Sequence, residues 1–94
     1  LKLVRTTTEL IFCVFKGSNQ TDFAYESLYI KAPTLCYAWP SDEGRFMLLP
    51  VDHYPKLAGD AREHEFEFLN EMEFLAVVAE GKVSNNMLEK LKCV

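Results

Sequence analysis

The residues predict an α+β fold: a three- to four-stranded antiparallel sheet, a meander containing a hairpin over 35–49, followed by one long and one short C-terminal helix packed on that sheet. Three observations predict it. Two apolar runs, Leu35 to Trp39 and Phe46 to Leu49, flank a stretch rich in turn formers. An uninterrupted apolar run at 10–15 is bounded by Lys16-Gly17-Ser18-Asn19. From residue 60 onward the large side chains recur with helical rather than strand spacing.

The chain is 94 residues long, the size of one domain with one modest core. Residues 1–8 form a lead-in that extends a strand. The run Leu10-Ile11-Phe12-Cys13-Val14-Phe15 reads as a central strand covered on both faces, which makes Cys13 an ordinary buried thiol. Residues 23–32 fit two periods. A helix capped by Asp22 would align Tyr25, Leu28, Tyr29 and Ala32, whereas a strand would place Phe23, Tyr25, Ser27 and Tyr29 on one face. The aromatic content and the extended bias of the residue before Pro33 favour the strand.

The hairpin over 35–49 rests on turn chemistry. Pro40 fixes φ and lacks an amide donor, Ser41 and Asp42 bond readily to nearby backbone, and Gly44 tolerates positive φ. Both of its faces carry apolar groups, which calls for cover on two sides, from helices or from a second protein chain. After an ordered loop over 50–59, Asp60 is the expected N-cap of a long amphipathic helix over 60–80, closed near Gly81. Period-2 alternation in Glu63-His64-Glu65-Phe66-Glu67-Phe68 offers an edge strand as the alternative for its first turns. Ser84 caps a final short helix over 85–93 that turns Met87, Leu88 and Leu91 inward.

The formal net charge of −4 argues against direct nucleic-acid binding or attachment to an anionic membrane, both of which need concentrated Lys and Arg. Residues 60–80 hold seven acids and one base, a local net of −6, so the rest of the chain carries about +2. Three widely spaced cysteines without a CxxC pair fit a reducing, cytoplasmic compartment better than a disulfide framework. No secretory signal is visible, and the chain opens at Leu1 rather than Met, which leaves room for a preceding segment. Asn19-Gln20-Thr21 is a formal glycosylation sequon without a secreted context.

Chemistry is sparse. His53 and His64 stand eleven positions apart with no HExxH or CxxC beside them, so a metal site joining them with Asp52 and Cys36 has little support. A Cys36–His53 nucleophilic pair would depend on folding alone. The glycines at 17, 44, 59 and 81 are isolated, which leaves phosphate-binding loops without a motif. The aromatics Tyr25, Tyr29, Tyr37 and Trp39 lack the basic surroundings of a base-stacking platform. We therefore expect no catalytic group, cofactor or metal. The expected function is a non-enzymatic protein–protein interaction or regulatory domain that self-associates, because so small a chain carries many large apolar groups. Its interface would use Tyr37, Trp39, Phe46 and Tyr54 as aromatic anchors, with Asp42, Glu43 and Arg45 as a polar rim at the hairpin tip. One alternative is an acidic inhibitor that docks on a nucleic-acid-handling protein through Glu63, Glu67, Glu71 and Glu73 of the 60–80 helix. Another is a small-ligand pocket between sheet and helix, near Trp39, His53 and Tyr54.

Overall fold

A computed structural model describes residues 1–15 and 25–92. The expected cap Asp22, the sequon at 19–21 and Cys93 lie outside the described residues. Seven antiparallel strands form a single curled sheet: β1 (Lys2–Thr6), β2 (Leu10–Phe15), β3 (Tyr25–Ile30), β4 (Leu35–Pro40), β5 (Arg45–Pro50), β6 (Leu57–Arg62) and β7 (Phe66–Phe68). Two short helices follow, α1 (Glu71–Ala79) and α2 (Asn85–Lys92). The spatial order is β3-β2-β6-β5-β4-β1-β7. This corrects the expectation of a three- or four-stranded meander with one long helix: the sheet is larger, its strand order is not sequential, and the helical part is broken and short.

The hairpin forms where its turn residues place it. Cα partners run from Cys36↔Pro50 to Pro40↔Phe46, and the turn between the strands holds Glu43 and Gly44 at positive φ, 59° and 72°. The strand reading holds over the described residues Tyr25–Ile30, since β3 pairs with all of β2, from Leu10↔Ile30 to Phe15↔Tyr25.

Residues 57–68 overturn the helix. Leu57, Gly59 and Ala61 of β6 face inward and alternate with Ala58, Asp60 and Arg62, but two of the three inward residues are too small to announce a period-2 pattern. Gly59 is small for a reason. A Cβ there would lie 2.9 Å from Phe12 Cδ1 and 3.0 Å from the Ile11 carbonyl oxygen, so the fully buried Phe12 ring occupies the space that a side chain would take. Arg62 N–H donates to Glu65 Oε2 at 2.7 Å, closing a 3₁₀ turn at Glu63–Glu65, after which β7 pairs with β1 through Val4↔Phe68 and Thr6↔Phe66. The alternation at 63–68 was thus a strand signal in its second half.

The helix that does form starts ten residues later than Asp60. Asn70 is its N-cap: Glu73 N–H donates to Asn70 Oδ1 at 2.8 Å, and Asn70 N–H donates to Glu73 Oε1 at 3.1 Å, a reciprocal box that satisfies two otherwise unpaired donors. Gly81, at φ 72°, ends the segment, as its left-handed tolerance predicts. At α2, Met87 N–H donates to Ser84 Oγ at 3.4 Å.

Curling divides the apolar residues into two cores. On the concave face, Val4, Leu10, Phe12, Cys36, Ala38, Leu48, Leu57, Ala61 and Phe66 form one cluster drawn from six strands. On the convex face, Leu3 and Tyr37 pack with Val77, Val83 and Met87 of the helical segment, joined by Leu35, Trp39, Phe74 and Leu91. β4 supplies Cys36 and Ala38 to the first core and Tyr37 to the second. Its two-sided cover therefore comes from the sheet's own curl on one side and from the helices on the other. Thr6, the buried polar residue among the described residues, is satisfied: Thr34 N–H donates to its Oγ1 at 2.9 Å, and its own N–H donates to the Thr34 carbonyl at 3.0 Å.

Candidate functional site

Three of the four expected aromatic anchors come together. Tyr37 and Trp39 project from the same face of β4, and Tyr54, just beyond the 3₁₀ turn at Val51–His53, lies against both. Its ring meets Tyr37 edge-on at 5.2 Å between centroids and stacks with Trp39 at 6.4 Å. Such offset and edge-to-face arrangements suit the ring quadrupoles. Tyr37 is only 2% exposed, a core group whose hydroxyl pKa is raised by burial and by Tyr54, so any contact role of this trio falls to Trp39 and Tyr54. Phe46 is separate. It lies on the concave side with Phe66 at 5.1 Å and Phe68 at 5.9 Å, edge to face, and Lys2 Nζ sits 5.4 Å from the Phe68 ring centroid.

The expected polar rim, Asp42, Glu43 and Arg45, is exposed at the hairpin tip. The four acids expected on one helix face are dispersed over three elements: Glu63 in a 3₁₀ turn, Glu67 on β7, and Glu71 and Glu73 in the first turn of α1. The 60–80 helix expected to present them on one face does not form. Glu73 is committed to structure. Besides capping α1, it accepts from Arg5 Nη1 at 2.7 Å, and the Asn70 backbone bond, followed by the Arg5 contact, holds its carboxyl below the ordinary value of 4.5.

Neither candidate chemical residue gains a reactive setting. Cys36 is fully buried, its Sγ 3.8 Å from the Thr34 carbonyl, and burial pushes its thiol up to about 12, far from the thiolate that nucleophilic work requires. His53 is exposed on its turn. Among the described residues, no three His, Cys, Asp or Glu side chains gather as a metal would need, and no helix is long and apolar enough to cross a membrane. Trp39 lines an open cleft with Leu1, Asn86, Glu89 and Lys90 rather than with His53 and Tyr54. A narrower cleft of about 300 Å³ lies between β1 and the helices, lined by Leu3, Phe68, Leu69, Phe74 and Leu91 among others.

The features that residue patterns missed are uncovered apolar surfaces. β2 was expected to be buried on both faces, and Cys13 with it. Instead Ile11 is 51% exposed and Cys13 is exposed, because the helices cover only the β1–β4 part of the convex face. Tyr29, directly opposite Ile11 on β3, is 62% exposed. On α1, Met72 is 81% and Leu75 57% exposed, one turn apart on the side away from Val77. The signal was available at α1, whose segment Phe74-Leu75-Ala76-Val77-Val78-Ala79 is apolar all round while one flank suffices for packing. No family model, curated protein or solved structure matches the chain.

Proposed function

We propose that the protein acts by binding protein, its own second copy included, as a non-enzymatic interaction or regulatory domain. The observation that carries this reading is the convex surface around Ile11 and Tyr29, an apolar pair lying directly across two strands and left more than half exposed. Scattered apolar residues are normal on protein surfaces, but a contiguous patch with an apolar helix flank elsewhere on the same molecule marks contact sites. Trp39 and Tyr54 add a second, aromatic patch of the composition that interfaces favour. The odd, spaced cysteine set and the exposed Cys13 thiol support a reducing, cytoplasmic setting.

Sedimentation velocity over a dilution series tests this. Self-association with a dissociation constant in the micromolar range is the expected result for patches of this size. A single monomer species up to roughly 500 μM, well above the weakest specific contacts of such area, defeats the self-association part of the proposal.

A further inference from the structure

Helix α1 has two apolar faces, and the fold uses one of them. Phe74 and Val77 pack into the convex core. At about 100° per residue, Met72, Leu75, Ala76 and Ala79 fall together on the far side, and all four are exposed, Met72 by 81% and Leu75 by 57%. One apolar stripe is enough to hold a surface helix on its domain. The second stripe has no packing role among the described residues. Its borders carry one sign of charge. Glu71 lies at the edge beside Leu75 and Glu80 at the edge beside Ala76, both exposed, and α1 contains no basic residue. Two cations of flanking segments are already engaged: Arg5 Nη1 lies 2.7 Å from Glu73 Oε2, and Lys82 Nζ 3.3 Å from Glu80 Oε2. The Lys82 pair is more than half exposed on both sides, so it yields readily to a competing cation.

We propose that this outer face of α1 binds an amphipathic helix of another protein, one whose apolar stripe is flanked by Lys and Arg. The proposal names a partner class for the protein-binding reading above, rests on that reading, and uses a surface other than Ile11 and Tyr29. Backbone chemistry selects a helix. Along α1 the N–H and C=O groups are bonded within the helix, so the face offers side-chain grooves and no ladder, and an occupant has to arrive with its own backbone satisfied. Size then sets the fit. The small Ala76 and Ala79 leave a shallow groove for a large side chain, while Met72 and Leu75 project between the partner's ridges. Charge selects against the two other coverings of an apolar helix face. A second copy laid antiparallel on the stripe brings Glu71 beside Glu80, and laid parallel brings Glu71 beside Glu71. An anionic bilayer meets both carboxylates, whereas helices that lie on such bilayers carry Lys and Arg on their polar side. Basic flanks on a partner helix turn both edges into attractive contacts. The footprint is small, so a dissociation constant of about 10 to 100 μM is expected.

The probe is a fluorescent peptide of about 15 residues, long enough to hold a helix, with Leu on one face and Lys on the other; a Leu/Glu peptide of the same pattern is its counterpart. Fluorescence anisotropy against the full chain is expected to show the Leu/Lys peptide binding at least about tenfold more tightly than the Leu/Glu peptide. Leu75→Gln, at an exposed position, weakens the Leu/Lys peptide at least about fivefold with circular dichroism unchanged. Glu71→Gln combined with Glu80→Gln removes most of the preference between the two peptides. Methyl NMR of the methionines locates the contact without any substitution: Met72 shifts on adding the Leu/Lys peptide, while the buried Met87 stays in place. Absence of binding up to about 1 mM, binding insensitive to Leu75→Gln, or a bound peptide that leaves Met72 unmoved overturns the proposal. So does a Met72 signal that shifts with protein concentration alone, which assigns the face to a second copy, or with phosphatidylserine vesicles, which assigns it to lipid. Failure of the peptide in a chain that still self-associates removes this helix site and leaves the broader reading standing. A strict monomer that binds the peptide defeats self-association and keeps the helix site.

Discussion

Strands β2 and β4 are nearly indistinguishable as sequences, six residues each and apolar at every position apart from the proline that ends β4, yet they end in opposite situations. β4 lies between two cores, with Cys36 and Ala38 under the curl of the sheet and Tyr37 under the helices. β2 gives Leu10 and Phe12 to the concave core, while Ile11 and Cys13 face outward. A continuous apolar run therefore reports that a strand has two apolar faces. Whether both are covered depends on where other elements travel, and here the helices reach only one part of the convex surface. The uncovered half of β2 is the surface on which the proposed self-association rests.

The contrast can be broken first at the position with the largest expected effect. Phe12→Ala should cost about 3–5 kcal/mol of stability by emptying a fully enclosed site, whereas Ile11→Ala, one residue away on the outer face, should cost about 1 kcal/mol or less. Chemical denaturation of the two variants reads the difference, and equal losses would mean that the convex face of β2 is packed after all. The same substitution made on both strands sharpens the comparison at smaller scale. Cys36→Ser places a hydroxyl among apolar neighbours and should cost about 1–3 kcal/mol, while Cys13→Ser should stay within about 0.5 kcal/mol. Alkylation mapped by mass spectrometry should label Cys13 in the folded protein and Cys36 only on unfolding.

Cys36 carries a pH signature as well. Its thiol stays protonated to about 12 in the fold against an ordinary value of 9.0, so the stability it contributes is complete below pH 9 and is lost as pH rises toward 12, at about 1.4 kcal/mol per pH unit. The smallest effect expected is at Glu73. Its carboxyl ionises below 4.5 in the folded chain, so its contribution is present above that value and disappears as pH falls through the lowered one. Glu73→Gln should give a slight loss of thermal stability at neutral pH that closes in acid.

The legible parts of this fold were those with local chemistry. Pro40, Ser41, Asp42 and Gly44 announce a turn, Ser84 and Gly81 announce helix ends, and these features stand where the residues place them. Residues 57–68 were not legible because their strand character depends on a distant side chain: Gly59 and Ala61 are small to admit Phe12 and its neighbours, and small residues carry little periodic signal. The same segment has large residues at near-helical spacing by coincidence, and Asp60 resembles a cap. The true cap, Asn70 with Glu73 three residues on, was present in the residues as a capping box and would have placed the helix start correctly. Of the candidate site, the grouping of Tyr37, Trp39 and Tyr54 was anticipated in part, but the exposed pair Ile11 and Tyr29 was not, since exposure on a convex face is decided by the path of helices that lie 60 residues away in the chain.

The position of β1 has a consequence for how the chain comes to be made. Residues 2–6 occupy an interior place in the sheet, between β4 and β7, although they are at the beginning of the sequence. During vectorial synthesis the pairs β2–β3 and β4–β5 can close as soon as their second strands emerge, whereas one flank of β1 has no partner until residues 66–68 are available. Closure of the sheet is thus a late, long-range event with a large loop entropy to overcome, and a ribosome that stalls before residue 66 leaves an interior strand waiting with one side open.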